Sequence, residues 1–293
     1  MNIINCVGQT PLLKINDKVY AKLETYNPSG SIKDRIAAYI IQKAQETGEL
    51  KKDSTIVVAS SGNTGISFSM FAAFYGYGCV IVMPENMSEE RKQMMKAFGA
   101  RIIEVGPSDF KGAIKTRDQL VKNFGTYWSP MQFSNQYNIE CHENTTAKEI
   151  SQSVLDLDRS VVGYPTKLSA LVCGSGTGGT IMGCHNYLTK RWRNMKTVLV
   201  KPAEPALTHG IQGINDGADF LCDMSKVDEI LEIKTQEAKD RARRLAREHG
   251  LLVGISAGAN VLAAERWAED NNPRGVVITF LCDRGERYLS CYN

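Results

Sequence analysis

A chain of 293 residues that is 43% hydrophobic and 23% charged holds enough apolar material for a large core and two domains, which excludes a disordered, collagenous or coiled-coil protein. Its formal charge of +3 is too mild to argue for nucleic acid or an anionic membrane surface, so a small molecule is the better expectation for its ligand. The eight cysteines form no C-x-x-C pair, and Met1 to Gln9 shows no basic stretch followed by an apolar one, so reduced thiols and a cytoplasmic location are expected.

The elements alternate along the chain. A helix is predicted over Ile32 to Glu49, a strand over Thr55 to Ala59, a helix over Asn63 to Tyr75 and a strand over Cys79 to Met83. Helix Ser88 to Phe98, strand Arg101 to Val105 and helix Phe110 to Phe124 follow, then helix Thr145 to Leu155, strand Leu168 to Cys173, helix Thr180 to Lys190 and strand Thr197 to Val200. A charged helix carrying Arg241, Arg243, Arg244 and Arg247 and closed by Gly250 reads as a solvated face rather than a binding patch, and strand Gly275 to Leu281 comes last. Continuous rather than alternating apolarity marks strands covered on both faces, so the fold class is α/β with mostly parallel, twisted sheets. Ser54 to Pro84 lacks any charge, yet Ser60 to Gly65, Gly76 and Gly78 interrupt it before the ~18 to 20 apolar residues that a membrane span needs. The polar break Tyr127 to Glu143 suggests a junction between domains 1–137 and 138–293, with the first ~35 residues packing on the second domain.

Four clusters carry chemistry. Gly174-Ser175-Gly176-Thr177-Gly178-Gly179-Thr180 joins a strand to a helix, where converging backbone N–H groups, the helix dipole and the hydroxyls of Thr177 and Thr180 suit a phosphate. The same residues satisfy G-x-G-x-x-G, and Glu204 ends the next strand near the ~20-residue spacing of a dinucleotide site, so this loop alone also admits a dehydrogenase. Ser60-Ser61-Gly62-Asn63-Thr64-Gly65 opens a helix and suits a carboxylate, with an ordinary N-cap as the plain alternative. Ser256 is a lone hydroxyl in the glycine-flanked, apolar turn Leu251 to Ala259; it suits a pyridine nitrogen or, equally, a cap. Lys33, in Asn27-Pro28-Ser29-Gly30-Ser31-Ile32-Lys33-Asp34-Arg35, supplies the amine that would make one site of the other three.

Asn27 through Arg35, Ser61 through Gly65, Met83-Pro84 through Glu90-Arg91, Gln132-Phe133, His142 through Thr146, Gly176 through Thr180, Gly254-Ile255-Ser256 and Gly285 through Ser290 together resemble the cysteine synthase and cystathionine β-synthase family, almost end to end and in order. The dehydrogenase alternative accounts for neither Lys33 nor Ser60 to Gly65. The resemblance implies the fold type II architecture of pyridoxal phosphate enzymes, similar to tryptophan synthase β: two α/β domains with the cofactor between them, usually as a homodimer. It implies that Lys33 forms the Schiff base and takes the Cα proton, that Asn63 bonds the ring oxygen, and that Gly176, Thr177, Gly178, Gly179 and Thr180 hold the phosphate. By the same resemblance Ser256 faces the pyridine nitrogen, while Ser60, Ser61, Gly62, Asn63, Thr64 and Gln132 take the carboxylate of a small amino acid. A serine there makes a weaker electron sink than an aspartate, which favours loss of a β-substituent through an α-aminoacrylate over transamination. Neither nucleic acid, membrane nor metal is implied.

The chain departs from those relatives after Gln212-Gly213-Ile214, where they carry small neutral residues and this sequence has Asn215-Asp216-Gly217. A carboxylate at Asp216 repels bisulfide and is suited to act as a general base towards water or a thiol. The enzyme is therefore expected to run in the sulfide-releasing sense, turning cysteine into serine, lanthionine or cystathionine. The alternatives are a biosynthetic cysteine synthase joining O-acetylserine and sulfide, a deaminating lyase giving pyruvate and ammonia, and an exposed-loop role for Asp216. A catalytically silent interaction protein is disfavoured, because every cofactor position is kept. Cys282, where relatives often carry proline, reads as packing.

Overall fold

The computed structural model describes residues 2–159, 167–205, 210–211, 213–214 and 221–291. Within it the chain divides into two compact units, one of Met1–Val7 with Asn27–Tyr137 and one of Gly8–Tyr26 with Asn138–Asn293.

The first unit is built on four parallel strands. Strands β3 (Thr55–Ala59), β4 (Gly78–Pro84), β5 (Arg101–Val105) and β6 (Tyr127–Trp128) lie in the order β5-β4-β3-β6. Parallel neighbours need crossovers, and the helices supply them: α2 (Asn63–Tyr75) joins β3 to β4, α3 (Glu89–Ala97) joins β4 to β5, and α4 (Phe110–Asn123) follows β5. Helix α2 is buried from Thr64 through Ala72, which explains why its sequence shows no polar face. Caps fix the other two helices, with Ser88 accepting from the Arg91 N–H and Asp109 from the Gly112 N–H. Helix α1 (Lys33–Glu46) packs on α2.

The second unit holds a sheet of six strands in the order β1-β2-β10-β7-β8-β9. These are β1 (Leu12–Lys14), β2 (Val19–Leu23), β7 (Leu168–Gly174), β8 (Lys196–Pro202), β9 (Glu229–Ile233) and β10 (Val276–Leu281), and only the β1–β2 pair is antiparallel. Around them run α5 (Tyr137–Asn144), α6 (Thr146–Arg159), α7 (Gly179–Leu188), α8 (Thr235–His249) and α9 (Ile255–Asn271). Val172, Val198, Val200, Ala259 and Val277 sit in one core cluster with no more than 1% exposure, each larger side chain contributing about 1.5 to 3 kcal/mol.

The expected strands are all present, β3 and β5 with the expected ends. Four others escape the sequence pattern. Strand β2 carries Lys22 in the middle of an apolar run; that lysine is wholly buried, donating to the Thr10 carbonyl and pairing with Glu149 at 2.7 Å. Strand β9, at the sheet edge, is interrupted by Glu229 and Glu232, and β1 and β6 are three and two residues long. The solvated face expected for α8 is corrected at Arg241. Its side chain is 3% exposed and forks onto Glu265 of α9 at 2.8 and 2.7 Å, so it joins two helices rather than facing water.

Candidate active site

In the first unit, Lys33 is the opening residue of α1, and the turn before it is tied down from behind. The Gly30 N–H donates to the Asn27 carbonyl at 2.7 Å, with Gly30 at φ +86°, a conformation few residues other than glycine adopt. Asp34, wholly buried one residue after Lys33, accepts from the Ser29 N–H at 2.6 Å and from the hydroxyls of Ser29 and of Ser67 on α2. A carboxylate in the first turn also matches the helix dipole. These bonds hold the Lys33 backbone against α2 while its side chain stays partly exposed.

The chain leaving β3 forms the second cluster. Helix α2 starts at Asn63 with Gly62 as its N-cap and no side-chain cap bond, so the plain capping role weighed for these residues is not the one they take. Ser60 accepts from the Gly62 N–H at 3.3 Å, Ser61, Gly62 and Asn63 are partly exposed, and the Thr64 hydroxyl donates to Oε1 of Gln132 at 2.7 Å. Gly65 cannot be larger, because a Cβ there would meet the Met95 side chain at 2.7 Å and the Ser60 carbonyl at 3.0 Å. The segment therefore brings together backbone N–H groups, hydroxyls and the Asn63 amide, with the Gln132 amide bonded to it through Thr64, a donor set suited to a carboxylate.

In the second unit, the glycine loop runs from the end of β7 into α7, and its glycines are required by close contacts. A Cβ on Gly174 would lie 2.2 Å from the Ile214 side chain, one on Gly176 would lie 2.5 Å from the Gly213 carbonyl, and one on Gly179 would strike the Asn138 amide. Gly178 has φ +86° and a Cβ there would sit 2.4 Å from the Cys222 N–H nitrogen, so the loop is walled by backbone on its outer side. Helix α7 begins at Gly179 with no side-chain cap. The Thr177 hydroxyl accepts from Asn138 Nδ2 at 2.9 Å, and the Thr180 hydroxyl lies 3.1 Å from Nε2 of buried His142, whose Nδ1 lies 2.9 Å from the Thr146 hydroxyl.

Ser256 sits in the first turn of α9, not in the turn before it. Gly254 is the N-cap and no side chain caps the helix, so Ser256 is not spent as a cap. The residue is 5% exposed, and its hydroxyl makes no hydrogen bond among the described residues. Asn260, one turn on, accepts from the Gly174 N–H at 2.8 Å and donates to the Phe280 carbonyl at 3.2 Å and Cys282 Sγ at 3.4 Å. The start of α9 is thus locked to the start of the glycine loop and to the end of β10. Asp283 adds a second lock: its carbonyl accepts from the Gly254 N–H at 3.0 Å, and its carboxylate accepts from the Tyr288 hydroxyl.

Residues 3–283 match the family described as pyridoxal-phosphate dependent enzyme. The chain belongs to that family. A cysteine synthase from Staphylococcus aureus is 38% identical over 99% of this chain and 95% of its own length. Among solved structures, a hydrogen sulfide-producing enzyme from Fusobacterium nucleatum aligns with a TM-score of 0.89 at 37% identity, covering 98% of this chain and 99% of that one. An O-acetylserine dependent cystathionine β-synthase from Helicobacter pylori aligns with a TM-score of 0.90 at 32% identity, covering 99% and 97%. The protein is a cysteine synthase-like, pyridoxal phosphate-dependent enzyme of sulfur amino acid metabolism with the expected fold type II architecture.

The residues fit that cofactor on structural grounds. Gly176, Gly178 and Gly179 are packed so closely on their outer side that none has room for a Cβ, and the loop runs into the N-terminus of α7, which suits a phosphate; Ser256 is a buried residue whose hydroxyl makes no bond among the described residues, which suits a ring nitrogen. The geometry also disposes of the dinucleotide reading. Both oxygens of Glu204 are taken by Thr235 at the start of α8, through its N–H at 2.8 Å and its hydroxyl at 3.1 Å, so the acid serves as a helix cap. Asp216 and Gln212 lie outside the described residues. Asn138, His142, Asn260 and Asp283 surround these groups and were given no role by sequence, although His142 opens one of the stretches that carry the family resemblance and Asn260 lies one helical turn beyond Ser256.

Proposed function

We propose that this enzyme releases sulfide from L-cysteine and adds water or a second thiol at Cβ, giving serine, lanthionine or cystathionine. Pyridoxal phosphate supplies the electron sink that lets the Cα–H bond break. Lys33 would hold the cofactor through its amine, and the same amine would take the Cα proton. Asn63 donates to the ring oxygen, Gly176, Thr177, Gly178, Gly179 and Thr180 hold the phosphate, and Ser256 meets the pyridine nitrogen. Ser60, Ser61, Gly62, Thr64 and Gln132 hold the substrate carboxylate, the amide of Gln132 being oriented by the Thr64 hydroxyl. Enzymes of this kind are proposed to work as homodimers, and a homodimer is the assembly we expect.

The observation that carries the sulfide-releasing sense is Asp216. Gly213 and Ile214 pack on Gly176 and Gly174, and Asp216 follows Ile214 by two residues, so a carboxylate enters the chain directly after the segment pinned to the phosphate loop. A carboxylate disfavours an anionic nucleophile and suits proton removal from a neutral one. The similarity to the Fusobacterium hydrogen sulfide-producing enzyme supports the same direction. Asp216→Asn is expected to abolish sustained turnover of cysteine to sulfide, followed by methylene blue, leaving at most the one sulfide per site that departs before a nucleophile adds, while cysteine still perturbs the cofactor spectrum; undiminished turnover would refute the proposal. The similarity to the Staphylococcus cysteine synthase favours a second reading, synthesis of cysteine from O-acetylserine and sulfide. Product analysis with each substrate separates the two, since only the first reading requires cysteine to be consumed without added thiol.

A further inference from the structure

Among the described residues His142 is the one imidazole buried behind the glycine loop, and nothing in the proposed reaction uses it. It is wholly buried on α5, with Nε2 3.1 Å from the Thr180 hydroxyl and Nδ1 2.9 Å from the buried Thr146 hydroxyl at the start of α6. Thr180 stands in the first turn of α7 and is partly exposed, so its hydroxyl has one side on the imidazole and one side open. Hydrogen bonding then leaves two arrangements. If Nδ1 bears the proton, it donates to Thr146, Nε2 is an acceptor, and Thr180 must spend its only proton on the ring; lone pairs then face outward and oppose an anion. If Nε2 bears the proton, it donates to Thr180, whose proton turns outward, while Thr146 donates to Nδ1.

We propose that His142 is a positioning residue that, through an Nε2–H tautomer whose Nδ1 accepts from Thr146, holds the Thr180 hydroxyl as a donor to the cofactor phosphate. The inference rests on the assignment of Gly176 to Thr180 to the phosphate. It makes the Thr146-His142-Thr180 row a single switch: an anion at the loop selects the outward Thr180 proton, and the outward proton requires the Nε2–H form. An imidazolium would present the same Nε2–H to Thr180, whereas an apolar side chain at 142 would leave the hydroxyl free to rotate away.

The test is binding by the full-length protein after its cofactor has been stripped, with pyridoxal 5′-phosphate and phosphate-free pyridoxal titrated separately. His142→Phe is expected to weaken pyridoxal phosphate about tenfold, the effect of one charge-assisted hydrogen bond, and to leave pyridoxal unchanged. Thr146→Val is expected to act in the same direction although it never reaches the loop, and His142→Gln, which keeps a donor, to recover part of the loss. Adding His142→Phe to Thr180→Val should cost nothing further. Nitrogen-15 spectra of the loaded wild-type protein should show the proton on Nε2 of His142, a readout that survives even if a variant fails to fold. An Nδ1–H tautomer in the loaded protein, or an equal loss for both ligands, would overturn the inference. Failure of the wild-type protein to distinguish pyridoxal phosphate from pyridoxal would instead overturn the phosphate assignment beneath it.

Discussion

Thr64 fixes the orientation of the Gln132 amide. Its hydroxyl donates to Oε1 of Gln132 at 2.7 Å, which commits the amide oxygen to Thr64 and sets the direction of the amide nitrogen. Both side chains are buried, so the orientation is enforced by packing as well as by the bond. Thr64→Val should therefore let the amide turn and raise the KM for the amino acid substrate by roughly three- to tenfold, the worth of one ordinary hydrogen bond, while Thr64→Ser keeps the wild-type value. Steady-state kinetics with both variants decide the matter; a valine variant with unchanged KM would show that Gln132 is oriented by something else.

The close contacts of the glycine loop predict a different kind of failure. A methyl group at position 176 would lie 2.5 Å from the Gly213 carbonyl, and since that neighbour is backbone, it cannot step aside as a side chain would. Gly176→Ala should bind cofactor in less than stoichiometric amounts, read from absorbance per chain, with a stability loss of about 1 to 3 kcal/mol. Gly62→Ala offers the contrast, because nothing lies within 4 Å of its virtual Cβ, and it should load normally.

The fold could be read from the sequence wherever one physical signal dominated. Continuous apolar runs located β3, β4, β5, β7, β8 and β10, because a parallel strand covered on both faces has no polar alternation to hide it. It was lost where burial and composition parted company: Lys22 looks like a surface residue until Glu149 and the Thr10 carbonyl satisfy it, and α5 lies in a stretch rich in asparagine and glutamine that reads as a loop. The same division governs the candidate site. Groups proposed to touch the cofactor stand in glycine- and hydroxyl-rich loops with their own local signature, whereas Asn260 and Asp283 act through contacts made from distant parts of the chain, and His142, although it opens a recognisable stretch, owes its place to its contact with Thr180.

Asp34 predicts a stability effect that reaches Lys33, the proposed cofactor lysine. Its buried carboxylate is the shared acceptor for the Ser29 N–H, the Ser29 hydroxyl and the Ser67 hydroxyl. Asp34→Ala strands all of these donors and should cost about 3 kcal/mol, with a melting temperature lower by roughly 6 to 12 °C. Ser67→Ala removes a single donor and should cost about 1 kcal/mol. If both variants melt together, the network does not carry the turn before Lys33.

Thiol chemistry separates the cysteines. Burial pushes the Cys79 thiol up to about 11, only partly opposed by its hydrogen bond with Ser69, whereas Cys6 is exposed. At pH 8 the Cys79 thiolate is then a fraction on the order of one in a thousand, so iodoacetamide should label Cys6 in the native protein and reach Cys79 only after unfolding. Mass spectrometry of the labelled peptides reads the order directly.

His185 gives the enzyme a defined acid sensitivity. Its Nδ1 lies 2.7 Å from the Thr197 hydroxyl, and burial holds its pKa below the usual 6.5, helped by Lys226 and opposed by Asp228 and Asp223. The unfolded chain, with an ordinary histidine, therefore binds the proton at a higher pH than the folded one does. Stability is unaffected well above 6.5 and falls as the pH drops from that value towards the lowered folded pKa. His185→Gln removes this linkage, so its melting temperature should change less than that of the wild type across the acid interval, while the two curves run parallel above pH 7.5. Curves that stay parallel down to pH 5.5 would show that His185 titrates alike in both states.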